Sequence, residues 1–138
     1  MDNDKPDSLV TDDDLISIAR QAMENAYAPY SKFRVGAAAL TSDGRIFTGV
    51  NVENASYGLT VCAERVAVFK AVSEGFTRIT RLAVVSSSGE KTFPCGACRQ
   101  VISEFGDVAI VIAADGGEPA RMGIRELLPS PFGGDSIK

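Results

Sequence analysis

Three cysteines are the residues of this sequence best suited to chemistry. Cys62 lies in the segment VCAER, and Cys95 and Cys98 lie in PCGACR. All three fall at the start of predicted helices, where free backbone N–H groups and the helix dipole stabilise the thiolate that binds a metal. Two such helix starts side by side would offer three thiolates to one ion. Three protein ligands with an open fourth position are typical of a catalytic zinc site, whereas a structural site closes with four ligands.

A nearby carboxylate, Glu64, supplies the proton carrier that such a site needs. The chain contains no histidine, which excludes Ser-His-Asp and Cys-His nucleophile systems and H-E-x-x-H metal sites. From the first turn of its helix, Glu64 can point at the open zinc position without binding the metal. Because zinc lowers the pKa of its bound water toward about 7, a carboxylate beside it can accept that proton. The pattern predicts a hydrolytic site built without histidine.

Each of these residues also has an ordinary interpretation. Cys95-x-x-Cys98 alone fits a thioredoxin-type redox pair or half of a zinc knuckle. Glu64 alone would be a favourable charge at a helix N-terminus. The combination with Cys62 favours a catalytic zinc site, and a noncatalytic zinc-stabilised interaction module is the alternative from another class.

The composition indicates one globular domain in a reducing compartment. A length of 138 residues with 45% apolar and 23% charged residues fits a single core. Residues 1–14 hold six Asp against one Lys, which accounts for the net charge of −4 and leaves the body nearly neutral. A neutral body argues against binding of nucleic acid and favours an uncharged small substrate or a protein partner. The odd number of cysteines, with no signal peptide or membrane-spanning run, predicts a cytoplasmic protein.

Hydrophobic periodicity predicts helices that alternate with strands. We expect a mobile acidic tail over residues 1–10, a domain over 11–132 and a short tail over 133–138. Thr11 caps the first helix and Pro29 ends it. Further helices are predicted at 62–74, 96–105 and 123–128, and strands at 35–41, 45–50, 81–85 and 108–113. The pattern indicates an α/β fold with a mixed or partly parallel sheet covered on both faces, and an irregular loop over 51–60 suited to a substrate.

The motifs resemble a known family of enzymes. C-A-E followed by P-C-x-x-C is similar to the zinc-dependent deaminase signature, in the variant where Cys replaces the first His. The segments AYAPYSKFRVGAA, GVNVENASYGLTVCAERVAVFKAV and PCGACRQV resemble the small homotetrameric cytidine deaminases, over roughly residues 12 to 132. The resemblance implies a three-layer α/β/α cytidine deaminase-like fold with a mixed five-stranded sheet.

The resemblance also implies the chemistry of the site. Cys62, Cys95 and Cys98 would hold one Zn²⁺ per subunit, and Glu64 would be the catalytic proton shuttle. Water activated at the zinc would attack C4 of cytidine or deoxycytidine, while Glu64 protonates N3 and then the departing amine. The products would be uridine or deoxyuridine and ammonia, a reaction of pyrimidine salvage.

The substrate contacts follow from the same resemblance. Asn51 and Glu53 match ligands of the ribose hydroxyls, Ala63 lends a backbone N–H to the ring carbonyl, and Phe33 packs against the base. Phe132, in L-L-P-x-x-F, matches an aromatic residue that reaches a neighbouring subunit's site, which implies a homotetramer with shared active sites. The ordinary alternatives are loop residues for Asn51 and Glu53, and core or interface packing for the two phenylalanines.

Two arginines follow the predicted ligands closely. Zinc with three thiolates carries a charge of −1, which weakens the pull of the metal on water, and donors to the sulfurs offset this. The resemblance assigns that role to Arg65, and Arg99 is expected to assist. The alternative for Arg65 is a surface ion pair.

A deaminase of a cytosine-nucleoside antibiotic such as blasticidin S is the alternative within the same chemistry. The segments SDGRIFTGVNV and GIRELLPS resemble that branch. The intact N-x-E, with Glu53 placed for a ribose hydroxyl, favours ordinary nucleosides.

Overall fold

A computed structural model describes residues 9–137 as one sheet with four helices. The helices are α1 (Asp12–Met23), α2 (Ala63–Ser73), α3 (Gly96–Ser103) and α4 (Ile124–Leu127). The strands are β1 (Val35–Thr41), β2 (Ile46–Val50), β3 (Ile79–Ser86), β4 (Ala109–Ile112) and β5 (Ala120–Gly123).

The five strands form a mixed sheet in the order β2-β1-β3-β4-β5. β3 and β4 run parallel, whereas the other neighbouring pairs are antiparallel. The α/β class and the five-stranded sheet are thereby confirmed. The residue pattern predicted only four strands, because β5, with the sequence ARMG, has no fully buried residue and no apolar alternation.

Helices cover both faces of the sheet. Along β1, Ala37 and Ala39 pack in the cluster that contains the buried residues of α2 and α3. The alternate residues Ala38 and Leu40 pack against Leu15 of α1 on the other face. This alternation is that of a strand buried on both sides, and it produces the expected three layers.

The first helix begins where the sequence predicts and ends earlier. Thr11 and Asp14 form a reciprocal capping box, with both hydrogen bonds at 3.0 Å. The helix ends at Met23, so the expectation that it continues toward Pro29 is wrong. The reason is that Tyr27 pairs with a neighbouring segment: its N–H donates to Asn51 O at 3.0 Å and its C=O accepts from Glu53 N at 2.9 Å.

The packed domain starts before the predicted boundary. Val10 is 3% exposed and belongs to the core on the α1 face, so a mobile tail that includes Val10 is wrong. Leu9 is 62% exposed, and the rest of that prediction concerns residues 1–8, which lie outside the described part of the chain. At the other end, Gly134–Ile137 forms a short 3-10 helix. Within residues 9–137, no helix has the length and apolar character required to cross a membrane.

The second helix, α2, packs against the sheet with one face only. Ala63, Ala67, Val68 and Ala71 are fully buried. On the opposite side of the helix, Phe69 is 49% exposed. α2 therefore has an apolar outer face that its own chain does not cover.

Candidate active site

The three cysteine thiols converge between the starts of α2 and α3. Cys62 and Cys95 are the residues that immediately precede the two helices, and Cys98 lies in the first turn of α3. The Sγ atoms of Cys62 and Cys95 are 3.9 Å apart, those of Cys95 and Cys98 are 3.4 Å apart, and all three lie within 4.8 Å of one another. Thiolates bound tetrahedrally at about 2.3 Å from zinc are separated by about 3.8 Å. The cluster fits a zinc ion.

Hydrogen bonds within the cluster favour a thiolate at Cys62. A hydrogen bond from Cys98, with another from Arg65, lowers the pKa of Cys62 to about 5 in spite of partial burial. The same contact with Cys62, together with burial, raises the pKa of Cys98. All three cysteines are free thiols rather than a disulfide pair. Metal binding requires the deprotonated form, which Cys62 supplies readily.

The two arginines near the cluster have different partners. Arg65 Nη2 lies 3.5 Å from Cys62 Sγ, and this hydrogen bond raises the pKa of the guanidinium. Arg99 instead donates from Nε to Pro94 O at 2.8 Å and from Nη1 to Leu127 O at 3.0 Å. We expected Arg99 to donate to the sulfurs, but these hydrogen bonds go to backbone carbonyl groups. Arg99 fixes the backbone before Cys95 and ties it to the end of α4.

Glu64 is buried beside the thiols. Glu64 lies in the first turn of α2 and is only 5% exposed. Burial raises the pKa of its carboxyl to about 7, the charge of Cys62 adds to this, and Arg65 opposes it. The charge of Glu64 also contributes to the raised pKa of Cys98. A carboxyl group with this pKa can both accept and release a proton near neutral pH.

Asn51 is held against the backbone that leads into β1. Its Oδ1 accepts from Val35 N at 2.9 Å, and its Nδ2 donates to Phe33 O at 2.8 Å. The residue is buried. Asn51 therefore fixes the backbone at both Phe33 and Val35, and the Phe33 residue is 38% exposed.

Glu53 lies at a cavity of about 350 Å³ that Tyr30, Ser31, Glu53, Tyr57 and Thr60 line. Its Oε1 accepts from Tyr30 N at 3.0 Å and from Ser31 N at 3.2 Å. Its Oε2 accepts from the Ser31 hydroxyl. The hydrogen bond from Ser31 lowers the pKa of Glu53, so the carboxylate is ionised at neutral pH and acts as an acceptor.

Ala63 and Phe132 are the remaining predicted residues. Ala63 is fully buried at the start of α2, where no side-chain cap from Cys62 occupies the first amides. Phe132 is 60% exposed, and its backbone is bound to the Gln100 side chain on α3. Sequence reasoning missed the roles of Ser31 and Gln100, because their partners lie 22 and 32 residues away and leave no local signal.

The chain is similar to a described family and to named enzymes. Residues 9–114 match the family described as "Cytidine and deoxycytidylate deaminase zinc-binding region". Over 120 residues the chain is 49% identical to the cytidine deaminase of Halalkalibacterium halodurans, which covers 86% of this chain and 91% of that one. It is 50% identical over 119 residues to the cytidine deaminase of Mycobacterium tuberculosis, with coverage of 86% and 87%.

Solved structures agree with this similarity. The crystal structure of cytidine deaminase from Burkholderia pseudomallei superposes with a TM-score of 0.84 at 46% identity, covering 88% of this chain and 99% of that chain. The cytidine deaminase from Bacillus anthracis, 23% identical with a TM-score of 0.71, shares the fold.

Proposed function

The chain belongs to the cytidine and deoxycytidylate deaminase family, and on that premise we propose that it deaminates cytidine and deoxycytidine. Water replaces the exocyclic amine, and the products are uridine or deoxyuridine and ammonia. The observation that carries this proposal is the buried position of Glu64 beside three clustered thiols.

Zinc is the metal that the family description names. Cys62, Cys95 and Cys98 would hold it, with one ion per subunit. When bound, zinc acts as a Lewis acid that makes water a nucleophile near neutral pH. Arg65, which donates to Cys62 Sγ, would offset part of the negative charge of three thiolates.

Glu64 moves the protons of the reaction. It accepts a proton from the water that adds to C4 of the pyrimidine and delivers a proton to N3. The proton of the hydroxyl group now on C4 then passes through Glu64 to the exocyclic nitrogen, so that the C4–N bond breaks, the C4 carbonyl forms and ammonia leaves. Cytidine and water thus give uridine and ammonia, with no other reactant.

The substrate would lie between the thiols and the cavity at Glu53. Glu53 and Asn51 would bind the sugar hydroxyls, the Ala63 N–H would donate to the ring carbonyl, and Phe33 would pack against the base. Because the ionised Glu53 can only accept, the sugar must donate to it. This requirement favours nucleosides with a free sugar hydroxyl over a cytosine-nucleoside antibiotic. A Glu53→Ala variant with an unchanged KM for cytidine would favour the antibiotic.

One experiment tests the enzymatic proposal against the zinc-stabilised interaction module. Purified zinc-loaded protein is mixed with cytidine, and loss of the cytosine absorbance and release of ammonia are followed, with and without a chelator. Glu64→Gln is expected to lower kcat at least about 100-fold, as is typical for loss of a general acid/base. Metal analysis of this variant is the control. Full activity in Glu64→Gln with zinc retained would exclude the mechanism, and an inactive wild-type protein with bound zinc would favour the module.

We further propose that four copies assemble with shared active sites. Phe69 on the outer face of α2 and Phe132 on the C-terminal segment are large apolar side chains left 49% and 60% exposed. Phe69 lines an apolar surface groove with Val52, Val61 and Val66, and contiguous exposed apolar surface of this kind marks interaction sites. Phe132 would enter the site of a neighbouring subunit.

Subunit mixing tests the shared site directly. Glu64→Gln subunits keep Phe132 and lack the proton carrier, whereas Phe132→Ala subunits have the reverse defect. Refolding or co-expressing the two is expected to restore activity above the sum of the separate variants. Light scattering should give a tetramer for the wild type and smaller species for Phe69→Glu, with Arg125→Glu as a surface control. A fully active monomer would disprove the assembly.

Pyrimidine salvage in the cytoplasm is the setting that we propose. Free thiols persist in a reducing compartment, and the nearly neutral body fits an uncharged nucleoside rather than nucleic acid or a membrane surface.

A further inference from the structure

The loop before β1 connects the two parts of the proposed substrate site through one hydroxyl group. Ser31 Oγ contacts Glu53 Oε2 and also accepts from Phe33 N at 3.0 Å. Since the pKa of Glu53 is lowered and its carboxylate carries no proton, Ser31 must be the donor to Glu53. Its lone pair is then left for the Phe33 N–H, which fixes the direction of both bonds.

The backbone of Phe33 is therefore held at both polar groups. Ser31 accepts from its N–H, and Asn51 Nδ2 donates to its C=O at 2.8 Å. The neighbouring Lys32 has φ of 62°, in the left-handed region that a residue with a side chain adopts only when its surroundings impose it. Glu53 helps to hold Lys32 in this conformation, because its Oε1 accepts hydrogen bonds from Tyr30 N and Ser31 N.

We propose that Ser31 is a positioning residue that couples recognition of the sugar by Glu53 to recognition of the base by Phe33. This inference rests on the proposed nucleoside substrate. A carboxylate offers about four acceptor sites. The loop occupies three at Glu53, so one remains, aimed by Ser31 at a sugar hydroxyl. Ser31 then transmits the position of the carboxylate to the backbone that carries Phe33.

A Ser31→Ala variant separates coupling from simple loop support when two substrates are compared. Cytidine has the sugar hydroxyls, and 2′,3′-dideoxycytidine lacks both. We expect Ser31→Ala to raise KM for cytidine about tenfold, as for loss of a hydrogen bond to a charged group, with kcat within about twofold. KM for the dideoxy substrate should rise less, by the Phe33 contribution alone. Ser31→Thr, which keeps the hydroxyl at an exposed position, should restore the wild-type values.

A second background shows whether the effect passes through Glu53. In Glu53→Ala protein, the further change Ser31→Ala should leave the discrimination between the two substrates unchanged, because the carboxylate that Ser31 aims is gone. Equal effects of Ser31→Ala on both substrates, no effect on either, or additivity with Glu53→Ala would overturn the proposal. Should Ser31→Ala fail to fold, the pair Ser31→Thr and Ser31→Val, which differ by the hydroxyl, provides the same comparison.

Failure of the inference can be told from failure of the proposed function. If Glu53→Ala changes KM for cytidine and KM for the dideoxy substrate by the same factor, the sugar role of Glu53 is wrong and the inference falls with it. If Glu53→Ala raises KM for cytidine more than for the dideoxy substrate and Ser31→Ala raises both equally or neither, only the role of Ser31 is wrong.

Discussion

The side-chain amide of Gln100 binds the backbone of Phe132 twice. Gln100 Nε2 donates to Phe132 O at 2.7 Å, and Gln100 Oε1 accepts from Phe132 N at 3.2 Å. Gln100 lies on α3 two residues after Cys98, and its neighbour Arg99 donates to Leu127 O at 3.0 Å. The helix that carries two of the thiols therefore also fixes the segment that presents Phe132.

Gln100→Ala should separate the two roles of α3, which are to carry two of the thiols and to fix the segment of Phe132. We expect its zinc content to be that of the wild type, because no sulfur contact is lost, and KM for cytidine to rise several-fold as Phe132 loses its position, since such a bond is worth about 1 kcal/mol. Gln100→Glu keeps an acceptor for the Phe132 N–H and loses the donor, so its KM for cytidine should lie between those of the wild type and Gln100→Ala. Steady-state kinetics with metal analysis makes the test, and an unchanged KM in Gln100→Ala would contradict it.

Arg65 is expected to support the metal site through Cys62. Its Nη2 lies 3.5 Å from Cys62 Sγ, and loss of a hydrogen-bond donor to a ligand typically costs about 10- to 100-fold in metal affinity or activity. Arg65→Ala should show that loss in zinc competition with a chelator and in kcat. Arg125→Ala is the matched control, because Arg125 is 72% exposed and pairs with Asp107 at 3.6 Å. Equal zinc retention in the two variants would disprove this role.

Asp12 should make the stability of the domain dependent on pH. Its carboxylate binds Arg81 at 2.9 Å and Arg121 at 2.6 Å. Burial alone would raise the pKa of Asp12, but the hydrogen bonds from Arg121 and Arg81 outweigh it and hold the pKa below its usual range. Because the folded value is depressed, the stabilisation is present above about pH 4 and is lost as the pH falls through the folded pKa.

Urea unfolding of Asp12→Asn measures this contribution. The variant should be less stable than the wild type by about 1 kcal/mol at pH 7, and the difference should shrink below about pH 4. Asp13→Asn removes the same charge from the same helical turn at an exposed position, so it controls for the helix dipole. A difference between Asp12→Asn and wild type that persists at low pH would show that the ion pairs are not its source.

Local sequence signals predicted the reactive residues of the site better than the hydrogen bonds that position their neighbours. Cys62 and Cys95 lie at the starts of their helices as expected, and Glu64 lies in the first turn, because capping and helix position are properties of a few consecutive residues. The bonds from Ser31 to Glu53 and from Gln100 to Phe132 join distant parts of the chain. No periodicity records such partners, so only the folded structure reveals them.

The errors in the fold have the same origin. α1 stops at Met23 because Tyr27 pairs with residues beyond β2, and the edge strand β5 is held by its ladder with β4 rather than by apolar residues of its own. In each case a tertiary contact decides the outcome.

Gly49 is a position where only the packing shows the constraint. A Cβ added there would lie 2.3 Å from Ala63 O and 2.4 Å from Ala67 N, so β2 and α2 would have to separate. Gly49→Ala should cost about 1–3 kcal/mol, as is typical of overpacking. Because Ala63 joins Cys62 to Glu64, kcat should fall as well, by more than the loss of folded protein explains. Gly117→Ala, where nothing lies within 4 Å of the added Cβ, should change neither quantity. Thermal unfolding and kinetics of the two variants measure both effects, and a Gly49→Ala protein that matches Gly117→Ala in both would show that this close approach does not hold the active-site end of α2.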